Sequence, residues 1–233
     1  MFSMQEIIPI LLISAAAIPL GILLGCGAIY VINHIPAAWL CDYGEEPSGD
    51  LLDSERQRVR GMPWKLVFSA LFIALGIFFG TRDVTYGLTA LLQLWLLLLI
   101  AISDMKYRII PDQFVFFLAL FAFPMSVYRA GVLDMLLGLL LGAGVLLTTA
   151  LIGRILFSRE ALGFGDVKLA AALGLTGGLA GTAFLLIAAS LLSCGAFLYL
   201  LLRRKVRHGD SLPLAPYLAL AAAGFLFLQG ATL

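Results

Sequence analysis

Two carboxylates stand where an apolar chain should not want them. Gly163-Phe164-Gly165-Asp166-Val167-Lys168 delivers an acid between glycines to the threshold of the apolar segment Leu169 to Leu173, and Asp104 ends the run Leu98-Leu99-Ile100-Ala101-Ile102-Ser103. Acids at the edge of such stretches are costly, and they mark function when they occur. At the end of a helix Asp104 opposes the local dipole and needs compensation, whereas Asp166 at the start of one complements exposed N–H groups as any solvated acid would. If the two meet around one water, unit charges about 4 Å apart repel by about 4 kcal/mol at an effective dielectric near 20, so one of them holds a proton. The ionised member can then deprotonate water while the protonated one polarises a carbonyl, the division of labour in aspartic proteases. Such a pair titrates as a unit, and neither residue receives a fixed role.

Residues around the pair have supporting readings. Gly163 and Gly165 would let an extended substrate approach the backbone in a mobile loop. Lys168 reads as an interfacial anchor at the rim of that cleft. Lys106, close behind Asp104, carries a side-determining charge. Asp112 follows Pro111 and precedes an apolar run, which suits a helix N-cap that could also tune the other acids.

The elements that must position these groups are transmembrane helices. Of 233 residues 62% are hydrophobic and 12% charged, with a mean hydropathy of +1.04, which no water-facing surface supports. Apolar stretches near the roughly 20 residues that cross a bilayer recur at 7–32, 64–80, 84–102, 113–128, 132–152 and 212–229. The run from Leu169 to Leu202 would make a single helix of roughly 50 Å against a hydrocarbon core of about 30 Å, so it must break. Its glycine-rich centre, Gly174 to Gly181, is the natural place. The expectation is an all-α, polytopic membrane bundle of about eight transmembrane helices.

Basic residues divide between alternate connections. All 15 Lys and Arg fall on one side except Arg82 and Arg129, and connections rich in Lys and Arg stay cytoplasmic. This puts Asp104, Asp112 and Asp166 at the cytoplasmic side and both termini outside. The N-terminal apolar run exceeds a signal core and lacks a basic flank, so it reads as a retained first helix. Cys26, Cys41 and Cys194 form no CxxC pair, so neither a disulfide framework nor a zinc site follows. Net charge of +1 gives no support for nucleic-acid binding. His34 and His208 flank spans at headgroup level, and Trp39, Trp64 and Tyr107 read as interfacial anchors. No oligomeric state follows from the sequence.

Four segments, in order, resemble the bacterial type IV prepilin peptidases, membrane aspartic peptidases of the GxGD type. Leu24-Gly25-Cys26-Gly27-Ala28-Ile29-Tyr30-Val31-Ile32-Asn33-His34-Ile35-Pro36 is similar to a first-helix motif close to LGSFLNVVIYRLP. Ser103 to Asp112 is similar to the segment of the first catalytic aspartate and Gly163 to Lys168 to that of the second. Leu212-Pro213-Leu214-Ala215-Pro216-Tyr217-Leu218-Ala219 resembles the terminal IPFGPFLA pattern.

The resemblance implies a single integral membrane peptidase domain over 1–233, with Asp104 and Asp166 catalytic and no cofactor needed for cleavage. The implied substrate is the basic leader of type IV prepilins or type II secretion pseudopilins, cut at the cytoplasmic face of the inner membrane. Many members carry a tetracysteine zinc insertion where this chain has a polar loop, 33–63, with Cys41 alone, so no zinc is expected. Members often also methylate the new N-terminus with S-adenosylmethionine. The loop acids Asp42, Glu45, Glu46, Asp50, Asp53 and Glu55 could attract a basic leader. A small ion-coupled transporter or channel is the rival of another class, but it calls for acids at mid-span. A presenilin-like protease would show Tyr-Asp where this chain has Ser103-Asp104.

Overall fold

The computed structural model describes residues 4–41, 51, 57–157, 162–205 and 212–233. Among these residues all regular structure is helical. The helices are α1 (Met4–His34), α2 (Trp64–Gly80), α3 (Val84–Tyr107), α4 (Asp112–Leu120), α5 (Ala122–Met125), α6 (Val132–Phe157), α7 (Phe164–Leu202) and α8 (Ala215–Thr232), with 3₁₀ turns at Ala37–Leu40 and Ser126–Tyr128. Five are long and apolar enough to cross a membrane, and the stretches Trp64–Gly80 and Asp112–Tyr128 are shorter apolar helices. The chain is an all-α, multi-pass membrane protein.

Two of the helical boundaries have local causes. α4 stops at Leu120 because the ring of Pro124 excludes a helical carbonyl four residues earlier. α7 is broken where the length argument requires, at Gly178, whose φ of 69° and ψ of −177° lie outside helical values. Its 39 residues are therefore two helical pieces.

The chain forms two compact units, Met1–Leu99 with Leu226–Leu233, and Ile100–Phe225. In the first, α1 and α2 run antiparallel along a seam of small residues. Gly21 faces Ile73 and Gly25 faces Ser69, so closely that a Cβ on either glycine would overlap the opposite backbone; Gly76 meets Ala17 and Gly80 meets Ile13. In lipid, where apolar burial gives helices no drive to associate, such close backbone packing holds them together. Trp95 donates its indole N–H to the Leu24 carbonyl at 2.9 Å, and Tyr86 donates to the Leu226 carbonyl at 2.8 Å. The outgoing end of the polar 33–63 loop is tied to α1. Arg58 donates to the carbonyls of Ile32 and Ile35 at 3.1 and 2.6 Å, covering orphan groups at the helix end. The Asn33 amide meanwhile pairs with both backbone groups of Val59. His34 stacks on Tyr30 and donates from Nδ1 to its carbonyl at 2.8 Å. The six loop acids, and His208, lie outside the described residues.

The second unit repeats the device. Gly138 and Gly142 of α6 lie against the backbone of Gly174, Gly178 and Ala170 of α7. The groups freed by the break at Gly178 are taken up by neighbours. Arg129 donates Nε–H to the Thr176 carbonyl at 2.7 Å, Asp134 accepts the Leu179 N–H at 3.0 Å, and the Thr182 hydroxyl donates to the Gly178 carbonyl at 2.6 Å.

Candidate active site

α3 ends in a left-handed cap. Arg108 has a φ of 57°, and its N–H returns to the Asp104 carbonyl at 2.9 Å, the closing bond of that motif. Ser103 then holds the outgoing strand, its hydroxyl donating to the Ile109 carbonyl at 2.8 Å. Asp104 is left on the inner side of the turn, 6% exposed.

The compensation that a helix-terminal acid requires comes from a distant element. One carboxylate oxygen of Asp104 accepts the Ala215 N–H at 3.0 Å. The start of α8 explains why that N–H is available. Leu214, immediately before the helix, has no capping side chain, Pro216 has no N–H, and those of Tyr217 and Leu218 return to the Leu214 carbonyl. Asp104 thus caps α8 from outside, and the positive end of that helix offsets the unfavourable end of its own. Arg108 adds a cation whose field reaches the carboxylate.

α7 opens at Gly163, an extended N-cap with φ −71° and ψ 145°. Asp166 sits in the first turn, its N–H on the Gly163 carbonyl at 3.2 Å. Its Oδ1 is buried with no hydrogen-bond partner. The charge of Asp104 acts on the Asp166 carboxyl. The two acids singled out in the sequence lie on segments that meet, with Ile110 against Gly165, although 61 residues separate them in the chain.

The supporting residues are arranged differently from expectation. Asp112 is not an N-cap: Pro111 holds that position without a side-chain cap, and Asp112 is the first helical residue of α4. Its two oxygens accept Lys168 Nζ at 2.9 and 2.8 Å. A long-range cation wins over the local backbone donors that the Pro-Asp pattern suggested. Lys168 is consequently an ion-pair partner rather than a simple lipid-boundary anchor, and its ammonium also lies 5.1 Å over the Phe164 ring. Gly165 lies within the first turn of α7 rather than in a loop, and a Cβ there would stand 3.1 Å from Ile110 Cβ. It admits the chain's own Ile110. Lys106 lies over the ring of its neighbour Tyr107 at 5.3 Å. Ala215 and Ile110 escaped sequence reasoning; the trace of the first is a helix start with a proline and no capping side chain.

Among the described residues no group of three or more His, Cys, Asp or Glu is placed to hold a metal ion. Among the described glycines, Gly138, Gly142 and Gly174 are closed by facing backbone and Gly181 by the Phe225 ring.

The model of the type IV leader peptidase family matches residues 91–199, which include Asp104, Asp112, Asp166 and Lys168. Leader peptidase HopD of Escherichia coli is 34% identical over 142 residues, covering 60% of this chain and 85% of the relative. The prepilin leader peptidase/N-methyltransferase of Aeromonas hydrophila is 30% identical over 145 residues, 58% of this chain and 47% of the relative. That of Pseudomonas aeruginosa is 30% identical over 134 residues, 56% and 46%. The chain spans about half the length of these last two relatives. No solved structure matches it significantly. With HopD matched over most of its length and the family model spanning both acids, the chain belongs to the type IV leader peptidase family.

Proposed function

We propose that this protein is a membrane aspartic endopeptidase that removes the basic N-terminal leader of type IV prepilins or type II secretion pseudopilins at the cytoplasmic face of the bacterial inner membrane. The observation that carries the reading is that the segments of Asp104 and Asp166 meet at Ile110 and Gly165, with Asp104 buried and one oxygen of Asp166 buried and unpartnered. A water between the carboxylates loses a proton to the ionised member as it attacks the scissile carbonyl, whose oxygen is polarised by the protonated one. The proton then passes to the departing amine. Asp104, held by the Ala215 N–H, is the fixed partner of the pair.

The cytoplasmic placement rests on the basic connections around Lys106, Arg108 and Lys168, and it puts both termini outside. The 33–63 segment takes the place of the tetracysteine insertion of longer members. Methyl transfer from S-adenosylmethionine to the new N-terminus is a second activity borne in the names of the two longer relatives.

The test is cleavage of a synthetic prepilin leader by purified protein. Asp104→Asn and Asp166→Asn should each lose at least about 100-fold in rate, the scale of a removed acid/base group. Wild-type cleavage by either variant would overturn the mechanism. Product mass with and without S-adenosylmethionine reads methylation in the same samples.

A further inference from the structure

Between the two aspartates runs a short strut, Arg108 to Asp112. Ser103 pins it at Ile109 beside Asp104, and Ile110 rests on Gly165 beside Asp166. Its far end is the ion pair, in which Lys168 Nζ bridges both oxygens of Asp112. Lys168 stands two residues after Asp166 and reaches back over Phe164, so it spans the turn that carries the acid.

We propose that Asp112 and Lys168 are positioning residues, a latch that sets the separation of the two catalytic carboxylates by fixing the first turn of α7 to the strut leaving Asp104. This rests on the peptidase reading above. The pair is 35% and 38% exposed, so water screens it and it contributes little to folding. Its geometric effect is of another order, because moving a catalytic group by about 1 Å can cost about 100-fold in rate. An interaction nearly neutral for stability and strong for turnover distinguishes a latch from a structural salt bridge. A two-oxygen grip also constrains direction as well as distance, which a single contact would not.

Full-length protein in detergent or nanodiscs is assayed on a synthetic prepilin leader as Asp112→Asn, Lys168→Met, the double variant and Lys168→Arg. Each single neutral variant should lower kcat by about 10- to 100-fold without lowering the thermal midpoint. KM should stay within about twofold of wild type, because no substrate contact is removed. The double variant should be no slower than either single one, since both break the same pair. Lys168→Arg, which keeps the cation, should recover most of the loss. Wild-type kcat in the single variants, losses that multiply in the double, or an effect confined to KM would overturn the latch. Asp104→Asn and Asp166→Asn run alongside: if either cleaves, the catalytic reading falls by itself. If both are inactive while Asp112→Asn and Lys168→Met turn over normally, the latch alone falls.

Discussion

Helix α7 meets glycine beside an acid twice, and the outcomes are opposite. At Gly178 the backbone leaves helical values between the two pieces of α7, yet the neighbouring groups are answered: Thr176 carbonyl by Arg129, Leu179 N–H by Asp134, Gly178 carbonyl by Thr182. At the first turn, Gly163 and Gly165 flank Asp166, whose Oδ1 is buried and unanswered. A buried polar atom without a partner costs about 1–3 kcal/mol. The backbone groups named around the break have partners, and Asp166 Oδ1 at the helix start does not. The lesson is that an acid near glycine in an apolar segment is not informative by type alone; what its oxygens meet, a backbone N–H for Asp134 and none for Asp166 Oδ1, sets the two sites apart.

The contrast breaks first at the reactive acids. Asp104→Asn and Asp166→Asn should each reduce leader cleavage by about 10²–10⁴-fold in a peptide assay. Substitutions at the break should act on the fold instead. Asp134→Ala removes the partner of the exposed Leu179 N–H and should cost about 0.5–1.5 kcal/mol of stability, seen as a lower thermal midpoint, with turnover per folded molecule kept. Gly178→Ala forces a side chain into a positive-φ, extended-ψ conformation open essentially only to glycine, at about 1–3 kcal/mol, and sets a Cβ against the Asp134 carboxylate, so its midpoint should fall as well. Normal midpoints in both would mean that the break is not held by these groups.

A smaller effect is expected where the strut meets the helix. Gly165→Ala puts a methyl 3.1 Å from Ile110 Cβ and should slow cleavage a few-fold, and Gly165→Val more, measured as kcat. Equal rates for glycine and valine would show that the turn is not packed against Ile110. Smallest is the loop: neutralising its six acids should reduce leader cleavage a few-fold at low salt and leave it unchanged at high salt, as expected for screened attraction. The two glycine sites would stay distinct through all of these.

What was legible in the chain follows from lengths and signs. The run from Leu169 to Leu202 is too long for one crossing, and the break falls at Gly178, within the glycine-rich stretch that the sequence marks. Asp104 and Asp166 stood out because acids beside apolar runs need a reason, and the segments that carry them meet where Ile110 lies against Gly165. What holds them was not legible. The donor to Asp104 is a backbone N–H 111 residues away, and backbone groups leave no side-chain signature. Asp112 looked like an N-cap because Pro-Asp before an apolar run is locally the same in either case; only the fold brings Lys168 to it. Arg129 read simply as one of two basic residues on the sparse side, and its hold on the Thr176 carbonyl depends on a break whose exact residue is set by packing against Gly138.

The central claim is that Asp166, whose buried Oδ1 has no partner, reacts, while Asp134, bound to the Leu179 N–H, supports the fold. Leader cleavage and thermal midpoint measured together on Asp166→Asn and Asp134→Ala test it directly. The account predicts that Asp166→Asn abolishes cleavage without lowering the midpoint, while Asp134→Ala lowers the midpoint and keeps turnover per folded molecule. Wild-type cleavage by a folded Asp166→Asn protein would contradict it.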